Sequence, residues 1–321
     1  MSKKVTIHDL AKVLGINSST VSRALNNSPK VGEDTKEKVW AKAKELGYQR
    51  NLLAANLRKS VTMTIGVVVP FISRKFFNDV IDGIERMARE KNYRIIITQS
   101  HDDVDLEKEA IEGLFMNRID GLLISPSFQS ETDTFLSQYY DNNIPVVVFD
   151  RYFKKSKLPR VTINDRGIAN DLTEHVIKTG KKKVFNVIGN LSAEMYKERN
   201  KGYLEAMENN GLMVDDSYVK SIELNSENGV QLLKEILADK DNIPDAIICG
   251  NDVTAIGMMS YLDKNTDLRV PEDISIAGFS NEPASEIIKP ALTTVNQHAL
   301  EIGRVSCAMV LKMIEEKSIS E

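Results

Sequence analysis

The sequence predicts a multidomain chain: a small all-α helix-turn-helix head followed by an α/β body of two doubly wound parallel-sheet subdomains. Three observations predict it. Near the N-terminus, two short helical patterns are joined by a glycine turn. From Thr64 onward, short apolar runs alternate with amphipathic helical stretches, and the whole pattern occurs twice. Charge divides at the same place: residues 1–60 hold 12 Lys and Arg against 5 Asp and Glu, a net of +7, whereas the remainder carries −11 and leaves the chain at −4. A length of 321 residues accommodates two or three domains with cores of their own.

The head begins at Thr6-Ile7-His8-Asp9, which reads as a capping box: the Thr6 hydroxyl accepts from the Asp9 amide while the Asp9 carboxylate reaches back. Ile7, Leu10, Ala11 and Leu14 then give the first helix one apolar face, and Gly15 ends it in a left-handed conformation. Asn17 caps a second helix, Ser18 to Leu25, with Val21, Ala24 and Leu25 inward. A third, about Glu33 to Leu46, points Val39, Trp40, Ala43 and Leu46 inward and Lys36, Lys38, Lys42 and Lys44 outward.

A helix-turn-helix lays its second helix in the major groove of DNA; an ordinary αα-hairpin is the competing reading. The side chains on the second helix favour DNA. Asn17, Ser18, Ser19, Ser22 and Arg23 are short and polar apart from one arginine able to take a guanine edge in two hydrogen bonds. Thr6, Thr20, Asn26 and Tyr48 suit phosphate contacts, which position a protein without specifying sequence. A basic head on an acidic body is also the footprint of a modular nucleic-acid binder, and a solvated lysine face does not explain that asymmetry.

The residues Val5-Thr6-Ile7-His8-Asp9-Leu10-Ala11, Ser19-Thr20-Val21-Ser22-Arg23-Ala24-Leu25-Asn26 and Glu45-Leu46-Gly47-Tyr48 resemble the lac-repressor (LacI/GalR) family of bacterial transcription regulators, and the similarity continues through almost the whole chain. The resemblance implies a head over 1–50, a hinge helix over 51–60 that folds when two chains meet on an operator, and a periplasmic-binding-protein-like body over 61–321. Within that body the first subdomain covers about 61–160 and 291–321, the second about 161–290. It also implies that Asn51, Ala54 and Leu57 contact DNA, Leu57 as the apolar wedge in the minor groove; without it, Leu57 reads as a leucine in a linker helix. The family's proline before the hinge asparagine is Arg50 here, which either loosens the hinge start or adds a phosphate contact.

In the body, Ile65–Val69, Tyr93–Ile97, Leu122–Ile124 and Pro145–Phe149 read as buried parallel strands, separated by helices at Phe76–Glu90, Asp105–Asn117 and Glu131–Asn142. The second unit has strands near Arg160–Ile163, Val184–Ile188, Val219–Leu224, Ala246–Cys249 and Ile274–Ala277. Its helices fall near Gly167–Thr179, Tyr196–Asn210, Ser226–Ala238 and Val253–Leu262. Leu292 to Gln297 resembles the family's return strand, and His298 to Glu315 follows as a helix. Family chains then continue through a third crossover to a last strand pair; this sequence ends at Glu321.

Two such units enclose a cleft between the C-terminal ends of their strands, where α/β sheets bind ligands. Phe76, Phe77, Asp150, Arg199, Asn251 and Ser280 fall at those ends. By resemblance Asp150, Arg199 and Asn251 match effector-contacting positions, and Phe76 and Phe77 the family's aromatic pair, one ring facing ligand and one packed. Each has a plainer alternative: a capping Asp150, a salt-bridged Arg199, an Asn251 in a turn, core phenylalanines. Ser280 departs from the aspartate that grips sugar hydroxyls in relatives. Lys181 replaces a common histidine, with no expected consequence for ligand.

The four histidines are scattered, and Cys249 and Cys307 lie far apart without ligand spacing, so no metal, cofactor or disulfide is expected. Met1-Ser2-Lys3-Lys4 runs into polar helix with no apolar signal region, and no apolar run is long enough to span a membrane; the expectation is cytoplasmic. No Gly-x-x-x-x-Gly-Lys loop or post-strand Gly-x-Gly-x-x-Gly suggests an enzyme. The expected function is a homodimeric, ligand-responsive repressor whose partners are a double-stranded palindromic DNA operator and a sugar-like small-molecule effector. The alternatives are control of the same regulator by a protein co-repressor, and a solute-binding protein.

Overall fold

The computed structural model describes residues 5–25, 27–48 and 61–320. Asn26, Arg50, Asn51, Ala54 and Leu57 lie outside them. The chain separates into two compact units, Met1–Thr62 and Met63–Glu321.

In the first unit, α1 (Ile7–Leu14) starts on the Thr6–Asp9 capping box and ends at Gly15, whose φ of 66° is left-handed. A side chain would resist that conformation, which turns the chain within two residues into α2 (Ser18–Leu25). With α3 (Glu33–Glu45) these helices bury Leu10, Ala11, Val21, Ala24, Leu25, Val39 and Ala43. Two expectations fail on α3. Trp40 is 51% exposed rather than in the core, and Lys36 is buried. Lys36, Val39 and Ala43 share the inward face at helical spacing, while Trp40 sits at its margin. The Lys36 stem packs inward and its ammonium reaches the exposed Glu33, 2.6 Å away.

The second unit holds two parallel five-stranded sheets. The first has the order β2-β1-β3-β4-β5, from β1 (Thr64–Val69), β2 (Arg94–Gln99), β3 (Gly121–Ile124), β4 (Val146–Phe149) and β5 (Arg160–Val161). The second runs β10-β9-β8-β6-β7, from β6 (Val184–Ile188), β7 (Val219–Ser221), β8 (Ala246–Cys249), β9 (Ser275–Phe279) and β10 (Thr293–Val295). Strands β1, β3, β4, β6 and β8 are buried throughout because helices cover both faces. β2 is not: it lies on the sheet edge, exposed at Arg94 and half-buried beyond. β5, expected in the second unit, instead pairs with β4 at the edge of the first sheet, and β10, expected with the first subdomain, pairs with β9 in the second. β5 and β7 are also shorter than the apolar runs that predicted them.

On the first sheet, α4 (Lys75–Glu90) and the last helix, α12 (Ala299–Ser320), cover one face, and α5 (Val104–Met116) and α6 (Ser137–Asp141) the other. α4 and α12 touch backbone to backbone. A Cβ on Gly83 would collide with the Leu300 carbonyl and one on Gly303 with that of Val80, so both positions require glycine. On the second sheet, α7 (Asp165–Lys178) and α8 (Glu194–Asn209) cover one face, and α9 (Ser226–Ala238) and α10 (Asp252–Asn265) the other. The short α11 (Pro283–Ile287) follows β9.

The helix expected over Glu131–Asn142 is reduced to a 3₁₀ turn at Thr134–Leu136 and α6. The preceding residues are held elsewhere: Ser127 and Ser130 donate to the buried Glu107, and the Phe128 amide to Asp102.

Candidate functional site

In the head, the surface of α2 carries the predicted base-reading residues. Asn17, Ser19 and Arg23 are exposed, and Ser18, Thr20 and Ser22 half-buried. The Asn17 carbonyl accepts from Thr20 and Val21, so the residue starts the helix. Ser18 Oγ lies 3.0 Å from His8 Nδ1, a link between the two helices that no local pattern in the sequence signals. Thr6 is exposed with its hydroxyl 2.6 Å from Asp9 Oδ2, and Tyr48 packs half-buried on the head's core.

In the body, Asp150 ends β4 with φ at +60°, a left-handed conformation aspartate tolerates better than most residues. Ser125 Oγ donates to its Oδ2 at 3.4 Å, and the guanidinium of Arg151 lies beside it with Nε 3.8 Å from the same oxygen. Burial pushes the Asp150 carboxyl up to about 6, against the lowering pull of Arg151; Asp165 adds to the rise and Arg199 opposes it. Folding therefore favours the protonated form, so the contribution of Asp150 to stability is greatest at low pH and declines as pH rises towards and through about 6. Asp150→Asn is expected to gain stability relative to wild type between about pH 5 and pH 7.5. Urea midpoints of both proteins across that range check this, and a pH-independent difference would contradict it.

Arg199 is buried on the first turns of α8. Its Nε donates to Asp165 Oδ1 at 2.7 Å, its Nη1 to the Gly250 carbonyl at 3.4 Å, and its guanidinium carbon sits 4.0 Å from the centre of the Phe279 ring. Asn251 caps α10: its Oδ1 accepts from Thr254 N–H at 2.9 Å while its Nδ2 donates to the Leu224 carbonyl at 3.1 Å. Both ends of Asn251 are thus engaged within the protein. Ser280, at φ +133°, accepts from Gln297 Nε2 at 3.1 Å. Phe77 is buried in the first core and Phe76 half-buried, their rings edge-on at 5.2 Å.

Arg151 Nε and Arg199 Nη2 are the buried side-chain donors without a hydrogen-bond partner among the described residues. An unsatisfied buried guanidinium N–H is costly, and a ligand oxygen would relieve it. Arg199 stands out in the sequence, whereas Arg151, Asp102, Asp165, Phe128 and Tyr196 do not. Arg151 was signalled by its place beside Asp150. Tyr196 was signalled by its spacing of three from Arg199 on one helix. Phe128 gave no local signal, because only the fold brings it to the site.

A model described as bacterial regulatory proteins, lacI family, matches residues 6–51, and one described as periplasmic binding proteins and sugar binding domain of LacI family matches 62–321. The chain belongs to the LacI family. It is 32% identical to the HTH-type transcriptional repressor PurR of Yersinia enterocolitica over 97% of this chain and 91% of that one. It is 30% identical to catabolite control protein A of Priestia megaterium over 98% of this chain and 94% of the relative. The lac repressor dimer bound to operator and the anti-inducer ONPF shares the fold with a TM-score of 0.87, at 24% identity over 99% of this chain and 94% of that chain. As a LacI-family chain this is a DNA-binding transcription regulator, not an enzyme. No helix among the described residues is long and apolar enough to cross a membrane.

Proposed function

We propose that this LacI-family regulator is a repressor that binds a palindromic operator as a homodimer and responds to a small-molecule effector, a sugar or sugar derivative, in the cleft of its body. Two-fold protein symmetry matches two-fold operator symmetry. Asn17, Ser18, Ser19, Ser22 and Arg23 read bases, and Thr6, Thr20, Asn26 and Tyr48 position the head on phosphates. Asn51, Ala54 and Leu57 engage the minor groove at the operator centre. In the body, Asp150 and Arg199 contact effector hydroxyls, with Phe76 beside them, Phe77 packed behind, and Asn251 and Ser280 at the second-sheet rim. The head covers 1–50, the hinge 51–60 and the body 61–321, and the protein acts in the cytoplasm.

One observation carries the effector reading: a buried carboxylate, Asp150, lies among two guanidinium groups that each keep a donor unused, all at strand C-terminal ends. Such a floor can accept from and donate to the same hydroxyl. Thermal melts of the whole chain with sugars, sugar acids, phosphosugars and nucleobases test it. A ligand at about 100 times its Kd stabilises by roughly 2.7 kcal/mol, a readable shift. A hit that also changes operator affinity supports the reading, whereas turnover of the ligand, or no response to any of the four classes, contradicts it.

A second reading, control by a protein co-repressor, draws on the small volume left in the cleft. The space open to the centres of water-sized molecules at its mouth is about 30 Å³, room for roughly two or three waters. That reading predicts partner-dependent operator binding with no small-molecule shift.

A further inference from the structure

The cleft is filled by the protein itself, in a connected way. The guanidinium carbon of Arg151 lies 3.5 Å from the centre of the Phe128 ring, a stacking distance. Its Nη1 donates to Asp102 Oδ1 at 2.7 Å, and the Phe128 amide donates to the same oxygen at 3.0 Å, so one carboxylate holds both members of the stack. Behind them, the buried Glu107 fixes the loop that carries Phe128. Its carboxylate accepts from the Ser127 amide, from Ser127 Oγ at 2.7 Å and from Ser130 Oγ at 2.6 Å. All of these groups belong to the first subdomain.

The other end of the stack belongs to the second. The Phe128 ring meets Tyr196 at 5.5 Å between centres and packs against the hydrophobic cluster of the second sheet. Tyr196 is buried against the end of β6, where a Cβ on Gly189 would collide with its ring. A chain of contacts thus runs from Glu107 and Asp102 through Arg151 and Phe128 to Tyr196 and Gly189, crossing the cleft.

We infer that the Arg151–Phe128–Tyr196 stack is an internal plug: it holds the two subdomains together in the ligand-free protein, and entry to the cleft requires its displacement. The second half rests on the effector reading, whereas the first stands without it. A ligand that displaces Arg151 shifts the population towards an open cleft, by its differential affinity for the two arrangements.

The test reads the plug with no ligand present. Glu131 and Ser192 are exposed and line opposite sides of the cleft mouth, and the native Cys249 and Cys307 are buried, so E131C and S192C can be spin-labelled selectively. Pulsed EPR on the whole chain is expected to give one short, narrow distance distribution in the otherwise wild-type protein. Arg151→Ala and Phe128→Ala, which cut the stack, should broaden it and move its mean to longer distance. Gly189→Ala, which pushes Tyr196 off its seat from the far side, should do the same and keeps the test alive if Arg151→Ala fails to fold. Arg151→Lys, which keeps the charge but loses the flat stacking face, should open the cleft less than alanine. A distribution already broad in wild type, or one unchanged in every folded variant, overturns the plug. Because no effector is added, neither result depends on whether a sugar-like ligand exists.

Discussion

Replacing Arg199 by methionine is expected to lower the stability of the body by about 3–5 kcal/mol, the range for breaking a buried ion pair from one side. The size follows from what is left behind. Asp165, with 8% of its side chain exposed, would keep a charge in a site closed to water, 2.7 Å from where the guanidinium had been. Water cannot solvate that carboxylate, and the Phe279 ring beneath the lost cation offers no donor. Adding Asp165→Asn should recover part of the loss, since removing both partners removes the uncompensated charge. Guanidinium-chloride midpoints of the two single variants and the double variant give the coupling. A single-variant loss below about 1 kcal/mol would mean that solvent reaches the pair and that it behaves as a surface salt bridge.

Arg23→Ala is expected to weaken operator binding by roughly 1–3 kcal/mol per half-site and to relax discrimination at one base position in each. Arg23 is exposed on the helix that a helix-turn-helix lays in the groove, and the polar residues around it are too short to replace a two-bonded guanine contact. Because the head core is built from Leu10, Val21, Ala24 and Leu25, the variant should fold as wild type does. Anisotropy titrations on operator and on random DNA at fixed salt separate the outcomes. Loss confined to the operator is the expected result; equal loss on both would make Arg23 a phosphate contact, with a shallower salt dependence instead.

What the sequence made legible was local. Thr6 and Asp9 stand three apart and Gly15 follows an apolar-periodic stretch, so the cap and the turn could be read from neighbours alone. Buried strands such as Ile65–Val69 and Val184–Ile188 announced themselves as apolar runs because both faces of each sheet are covered. The same rule failed for Tyr93–Ile97, where an edge strand has the composition of a central one. Trp40 and Lys36 depart from expectation because a residue's angle on the helix, more than its chemistry, decides whether it faces the core. Lys36 hides its stem and pairs its tip, while the indole stays at the margin beside Leu25 and Tyr48.

The cleft was partly legible. Asp150, Arg199 and Asn251 lie at strand ends that the topology brings to one edge, and the family resemblance pointed to them. How they are used was not. Asn251 is occupied as a helix cap, Arg199 as one half of an ion pair, and Phe128 arrives from the loop that precedes the expected helix. That loop is irregular because Glu107, a residue with the pattern of a solvated helix position, is buried and gathers two serines around its carboxylate. Contacts of this kind join residues distant in the chain, and no periodicity reports them.

Two copies of the head are expected to read one symmetric site under the control of the body. Selection of bound DNA from a random-sequence pool by the whole chain, with sequencing of the recovered fragments, tests it most directly. The expected result is one enriched palindrome, bound by two chains, whose half-sites lose information at one position when Arg23 is alanine. Enrichment of no sequence, or of an asymmetric site bound by a single chain, would contradict it.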